Sequence, residues 1–469
     1  MATEHSTEPR NDPAMAAAGS RFSQWFPLSP KEGWTQWCTN LSPATAEETV
    51  LSFIPHVLKP PSTQVYTAKV SSSSQSSISS ASELSADSST SSLGEFGARK
   101  WYSQLVQLSG KNRALNEFSI ERVGDEVEHN LVMLHGYGAG LGFFYKNFES
   151  LSRRPGWKLY ALDMLGMGRS SRPPFKIHAK DRQGKVTEAE NWFVDALEEW
   201  RVQKGIGRFT LLGHSMGGYM ATAYALKYPG NLEKLILVSP VGIPEDPLAM
   251  RAEIPEPTAD PLQDQNISLD GAADIDNPSS AAQPERLRPT PKWLVHLWEA
   301  NISPFSIIRM AGPLGPRLTS GWTSRRFAHL PQNEALALHD YSYALFRQRG
   351  SGEYALAHIL APGAFARDPL IRRIHRLGRQ HGERGVPVTF MYGDHDWMDV
   401  NGGRAAEKII KAESARALEG MTEAERKRDN GDARVVVVEK AGHHLYLDNP
   451  ERFNRAVDEE LQDVERRKW

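Results

Sequence analysis

The chain has 469 residues, with 55 Lys plus Arg against 57 Asp plus Glu and a formal net charge of −2. That length fits one large or two modest domains with a sizeable core, while 40% hydrophobic and 24% charged residues describe a soluble globular protein with no general attraction to nucleic acid. The single cysteine, Cys38, excludes an intrachain disulfide framework and a Cys-based zinc site and favours a reducing compartment; no apolar stretch approaches the roughly 18 residues of a spanning helix, and the first residues lack the apolar core of a secretory signal.

Residues 1–20 are small, polar and aperiodic and are expected to be disordered. Glu4, Glu8 and Asp12, set against Arg10 and Arg21, match an Arg-rich mitochondrial transit peptide poorly and leave import open. In 21–70, Phe22, Trp25, Phe26, Trp34 and Trp37 fall in a turn-rich stretch, followed by a short helix over 45–55 on which Val50, Leu51 and Ile54 share a face. Two readings stand for these aromatics. They pack on the main domain, or Trp25, Trp34 and Trp37 anchor the protein at a membrane surface, since an indole joins an apolar body to a polar N–H and settles at the water–lipid boundary. Residues 71–95 are Ser-rich without a hydrophobic pattern and read as a linker.

After Trp101, strand and helix patterns alternate. Leu131–Leu134, Lys158–Leu162, Phe209–Leu212 and Leu235–Ser239 are predicted buried parallel strands, with a helix over 188–204 begun by a Thr187/Glu190 capping box. Val388–Tyr392 and Arg434–Val438 continue the sheet, and a last helix carries the stripe Phe453, Val457, Leu461 and Val464. This order implies an α/β fold, a doubly wound, mostly parallel sheet built from 96–243 and 371–469. Between those parts, 244–288 is acidic, Pro-rich and expected to be flexible. Residues 289–370 predict an inserted helical cap over the C-terminal edge of the sheet, where such folds bind ligands.

Gly213-His214-Ser215-Met216-Gly217-Gly218 follows one of these strands and precedes a helical pattern, the setting of a nucleophile elbow. The glycines two before and two after Ser215 let neighbouring backbone pass without a Cβ clash. A serine nucleophile needs a histidine base held by a carboxylate, in the chain order Ser, acid, His for this fold. Tyr392-Gly-Asp-His-Asp-Trp-Met-Asp399 offers three acids beyond a strand: the pattern Gly-x-x-Asp favours Asp396, Asp399 is the rival, and Asp394 suits the turn itself. The loop after the last strand carries His443 and His444, which residue chemistry does not separate. Leu134-His-Gly-Tyr-Gly138 ends the first parallel strand, so Met216 N–H and Tyr137 N–H are the expected oxyanion donors. No ligand cluster calls for a metal, and Gly166-Met-Gly-Arg-Ser170 lacks the downstream signature of a nucleotide fold, so neither metal nor cofactor is expected. In the cap, Arg317, Arg325 and Arg326 lie near Trp322, Leu314 and Leu318. They form either a phospholipid head-group site beside acyl-accepting side chains or a solvated basic helix face.

Together these motifs resemble the α/β-hydrolase superfamily. With Ala161–Pro173, Ile302–Leu318 and His443-x4-Asp448 added, the chain resembles, over about residues 100–243 and 290–465, the subfamily of the fungal cardiolipin-specific deacylase, the animal N-acyl-phospholipid lipase and the lipid-droplet lipase coactivator. The resemblance implies an α/β-hydrolase fold and cleavage of fatty-acyl esters in membrane phospholipids, cardiolipin among them, or transfer of the acyl group to a lysophospholipid. It favours His443 over His444 as the base and likens the Trp segment to a lipid-surface anchor. It also implies an intracellular peripheral membrane protein, mitochondrial first, with the lipid droplet or cytoplasm as alternatives. The coactivator branch is expected to lack the elbow serine, which this chain retains, so an active enzyme is expected. His443-x4-Asp448 resembles a motif credited with lysophosphatidate acyltransferase activity, although Asp448 could equally support the loop. Head group, acyl position and oligomeric state stay open.

Overall fold

The computed structural model describes residues 27–55, 96–245, 292–362 and 364–467. Trp25, the segments 1–20 and 71–95, and nearly all of 244–288 lie outside the described residues. The chain divides into two compact units, residues 1–50 with 303–348, and residues 51–302 with 349–469.

The larger unit holds an eight-stranded sheet: β1 Arg99–Gln107, β2 Ala114–Arg122, β3 His129–Leu134, β4 Trp157–Leu162, β5 Phe209–His214, β6 Leu232–Val238, β7 Pro387–Gly393 and β8 Asp432–Val438. The spatial order is β1-β2-β4-β3-β5-β6-β7-β8, with β1 and β2 antiparallel and the strands from β4 to β8 parallel. From β3 the chain steps outward to β4, then crosses back to β5 and proceeds to β8. The switch point therefore lies between β3 and β5, and the C-terminal edge there is where such sheets build ligand sites. Strands β5, β6 and β7 are buried along their whole length, which is why they read as unbroken apolar runs. The β1–β2 hairpin escapes that pattern because β1 is half exposed and carries Arg, Lys, Gln and Ser between its apolar residues.

The long helix Arg182–Gln203 starts earlier than predicted. Its N-cap is Asp181, whose carboxylate accepts the Gly184 N–H at 2.8 Å. The Thr187/Glu190 pair lies inside the helix and caps nothing. Glu190 instead accepts the Tyr219 O–H at 2.6 Å and pairs with Arg373, a buried partnership between elements far apart in sequence that local spacing cannot reveal.

In the smaller unit, the segment read as turn-rich contains the helix Pro30–Thr39, and the helix predicted over 45–55 spans Pro43–Leu51. Ser29 opens the first of these with a capping box: its hydroxyl accepts the Glu32 N–H, and the Glu32 carboxylate accepts the Ser29 N–H at 2.8 Å, with Pro30 at the first helical position. The first packs on Gly312–Leu314 and Gly315–Arg326, and both bond to Gln332–Phe346. Gly33 permits the close approach, since a Cβ there would lie 2.8 Å from Arg317 Cγ. Arg317 Nε donates to Leu28 O at 2.9 Å, Arg347 donates to Leu41 O at 3.0 Å, and the buried Tyr341 O–H donates to Glu47 at 3.1 Å. Trp34 and Trp37 still face outward, 54% and 40% exposed, with ring centroids 5.5 Å apart. Among the described residues no helix is long and apolar enough to cross a membrane.

His339 links the same two segments, bonded to Thr323 Oγ1 at 2.7 Å and Gln36 Oε1 at 3.0 Å. Burial drives its pKa down from 6.5 to about 4. Between those values the unfolded chain binds more protons than the folded one, so this group's contribution is complete above about pH 6.5 and is lost as pH falls toward 4, worth about 3 kcal/mol in full. Urea unfolding at about pH 7.5 and about pH 4.5 should therefore show wild type losing more stability than His339→Gln. Equal losses would remove His339 as the cause.

Candidate active site

Ser215 follows β5 and precedes the helix Met216–Lys227, with φ 54° and ψ −116°, a conformation that side chains rarely adopt and that structures keep where the surroundings over-determine it. The surroundings here are glycines. A Cβ on Gly213 would sit 2.2 Å from Gly217 O, and a Cβ on Gly217 would sit 2.5 Å from Leu134 O. The elbow is thus tight in itself and pressed against the end of β3.

Asp396 and His443 come together at the ends of β7 and β8. His443 Nδ1 lies 3.1 Å from Asp396 Oδ1, and the two side chains are 9% and 1% exposed. Burial pushes the Asp396 carboxyl pKa up. The charge of His443, with hydrogen bonds from His443, the Ser239 hydroxyl and the Met398 N–H, outweighs burial and holds it below the ordinary carboxylate value. An ionised carboxylate can only accept, so Nδ1 of His443 is the donor in this pair.

His214, next to Ser215 in sequence, ties the elbow to the His443 loop. Its Nε2 donates to the His443 carbonyl at 2.9 Å, and the two rings are 4.8 Å apart. The described residues make no direct Ser215 Oγ–His443 hydrogen bond; in unliganded sites such bonds often tighten only when substrate arrives.

The loop after β3 lies against the elbow. A Cβ on Gly136 would lie 3.0 Å from Ser215 Cβ, so the backbone leading into Tyr137 runs alongside the elbow. Met216 begins a helix and brings an N–H without an intrahelical acceptor. A buried polar cluster fixes this loop. Asp163 accepts Leu141 N–H and Arg169 N–H at 2.7 Å and Asn116 Nδ2 at 2.8 Å. His135 donates from Nδ1 to Gly136 O at 2.7 Å and accepts the Met164 N–H on Nε2 at 3.1 Å. Burial pushes the His135 pKa down, in keeping with that neutral tautomer. Sequence reasoning gave Asn116, His135 and Asp163 no part. The available signal was a polar residue inside or just beyond an otherwise apolar strand.

Most of the remaining candidates lie elsewhere. Asp399 caps the helix Val400–Leu418, accepting the Asn401 N–H at 2.8 Å, and Asp394 accepts Lys440 N–H and Ala441 N–H at 2.9 Å. Asp448 accepts the Gly442 N–H at 2.9 Å and so braces the histidine loop. His444 stays at the site, its ring 5.0 Å from that of His214 and 5.4 Å from that of His443, but it is His443 that bonds to Asp396. Arg317, Arg325 and Arg326 belong to the smaller unit, where Arg317 braces the segment at Leu28.

Known proteins show the same organisation. Residues 130–450 match the alpha/beta hydrolase fold family. The 1-acylglycerol-3-phosphate O-acyltransferase of Arabidopsis thaliana is 34% identical over 355 residues, covering 74% of this chain and 70% of the relative. The (lyso)-N-acylphosphatidylethanolamine lipase of Bos taurus is 31% identical over 371 residues, covering 78% and 88%. Among solved structures, the esterase EaEST from Exiguobacterium antarcticum aligns over 76% of this chain and 98% of its own, at 16% identity and a TM-score of 0.46. The family match spans well over half of the sequence and includes the mostly parallel sheet from β3 to β8, and the chain belongs to the alpha/beta hydrolases.

Proposed function

We propose that the protein is a serine hydrolase that cleaves fatty-acyl esters of membrane phospholipids while seated on the lipid surface. The observation that carries this reading is the buried His443–Asp396 pair beside the elbow serine. Ser215 Oγ attacks the acyl carbonyl carbon as His443 Nε2 takes its proton, and Asp396 stabilises the imidazolium that forms. The oxyanion faces the N–H groups of Met216 and Tyr137. Collapse releases the lysophospholipid hydroxyl, protonated by His443, and leaves an acyl-serine. Water then attacks with the same relay, freeing the fatty acid and restoring Ser215.

The substrate class is inferred from the relatives, whose names specify an N-acylphosphatidylethanolamine and a 1-acylglycerol-3-phosphate. Cardiolipin belongs to the same chemical class. The acyltransferase relative favours a second reading, in which a lysophospholipid hydroxyl replaces water at the acyl-serine. Because Asp448 is committed to the Gly442 N–H, transfer would run through Ser215 and His443 and not through a separate His-x4-Asp device. The lipid surface would be met by the smaller unit, where Trp34, Trp37, Leu314 and Met310 are exposed, the last at 77%. An intracellular membrane, mitochondrial first, then the lipid droplet, suits the exposed free thiol of Cys38.

Ser215→Ala should abolish both fluorophosphonate labelling and fatty-acid release from phospholipid vesicles with the melting temperature unchanged; labelling that persists would sink the assignment. Diacyl product formed on adding lysophospholipid and an acyl donor would mark the transferase reading. Asp396→Asn should lower turnover by about 10⁴. Asp399→Asn should leave it near wild type, since Asn caps a helix as well as Asp does, and the reverse ranking would move the acid to Asp399. Changing Trp34 and Trp37 together to Ala should weaken vesicle binding and spare turnover of a soluble short-chain ester, whereas unaltered vesicle binding would direct the search to another surface.

A further inference from the structure

Ser239 follows β6 directly, is fully buried, and holds φ at 45°, in the left-handed region that favours glycine. Its N–H donates to Met391 O of β7 at 2.7 Å, and its hydroxyl bonds to Asp396 Oδ2. An ionised carboxylate has no proton to give, so the hydroxyl is the donor. The residues around it hold the nucleophile: Val238 O accepts the Ser215 N–H at 2.8 Å, and the Val241 N–H donates to Ser215 O at 3.3 Å. The stretch 238–241 therefore grips the backbone of the serine and the side chain of the acid at once.

Glycine would suit this backbone better than serine, and alanine would fill nearly the same space. What neither supplies is the hydroxyl, and the hydroxyl reaches Asp396. With Oδ2 held there, Oδ1 is left to the Met398 N–H at 3.0 Å and to His443 Nδ1 at 3.1 Å, and the carboxylate cannot turn without breaking contacts at both oxygens.

We propose that Ser239 is a positioning residue for acyl transfer, whose hydroxyl locks the Asp396 carboxylate in the orientation that presents Oδ1 to His443. The inference rests on the reading of Ser215, His443 and Asp396 given above. Ser239→Gly, which relaxes the backbone, and Ser239→Ala, which keeps the side-chain volume, should each lower kcat on a soluble ester and the rate of fluorophosphonate labelling. The expected loss is roughly 10- to 100-fold, the factor carried by one hydrogen bond to a charged group, with KM unchanged. In an Asp396→Asn background the same substitutions should lower the labelling rate by less than about twofold, because the group they orient no longer carries the charge.

Wild-type kcat in Ser239→Gly would overturn the proposal, as would a loss in the Asp396→Asn background equal to that in wild type, which would mark a structural role. If wild-type protein itself takes no label, the serine-hydrolase reading fails first. If wild type labels, Ser215→Ala does not, and Ser239→Gly matches wild type, only the role of Ser239 is lost.

Discussion

The site depends on one backbone constraint, the left-handed turn at Ser215. A residue at φ 54° between a strand and a helix stays in place only if the chain passing on each side has no Cβ to collide with it, and Gly213 and Gly217 meet that demand. The consequence extends beyond the serine. Because Gly217 lies against Leu134 O and Gly136 against Ser215, the turn draws the end of β3 and its following loop to the nucleophile. Once the elbow is formed, the positions of the Met216 N–H and of the backbone at Gly136 follow from it.

Around that turn the polar groups are buried, and each is held by specific partners. Asp396 and Asp163 are acidic side chains out of water, and both are supplied with donors: Ser239, Met398 N–H and His443 for the first, Leu141 N–H, Arg169 N–H and Asn116 for the second. A buried carboxylate without such donors would take up a proton. The donors around Asp396 thus keep it ionised, the form that the proposed role beside His443 needs. The histidines divide by environment in the same way. His135 is neutral and structural, His214 donates to the loop carbonyl, and His443 donates to Asp396.

In the smaller unit the N-terminal segment packs through Gly33, Gln36, Glu47 and the backbone at Leu28 and Leu41, while the two indoles at Trp34 and Trp37 stay outside. On the helix Pro30–Thr39, Gly33 and Gln36 make contacts while the two indoles stay exposed. Among those contacts Arg317 braces the backbone at Leu28.

What the sequence determined by itself was whatever rests on local rules. Six parallel strands were legible as apolar runs, the central ones because both of their faces are buried, and the elbow was legible because its strain imposes glycines at fixed spacing. Ser29-Pro-Lys-Glu32 also carried a readable helix start that a reading weighted toward aromatic residues passed over. Tertiary structure decided the rest. Asp396 and Asp399 are three residues apart and chemically identical, and only the ends of β7 and β8 bring one of them to His443 while the other turns to cap a helix. Glu190 stood at capping-box spacing yet bonds to Tyr219 and Arg373, and Ser239 had no motif at all. In each case the partner lies tens to hundreds of residues away, so the energy that fixes the side chain comes from a contact that exists only once the sheet has formed.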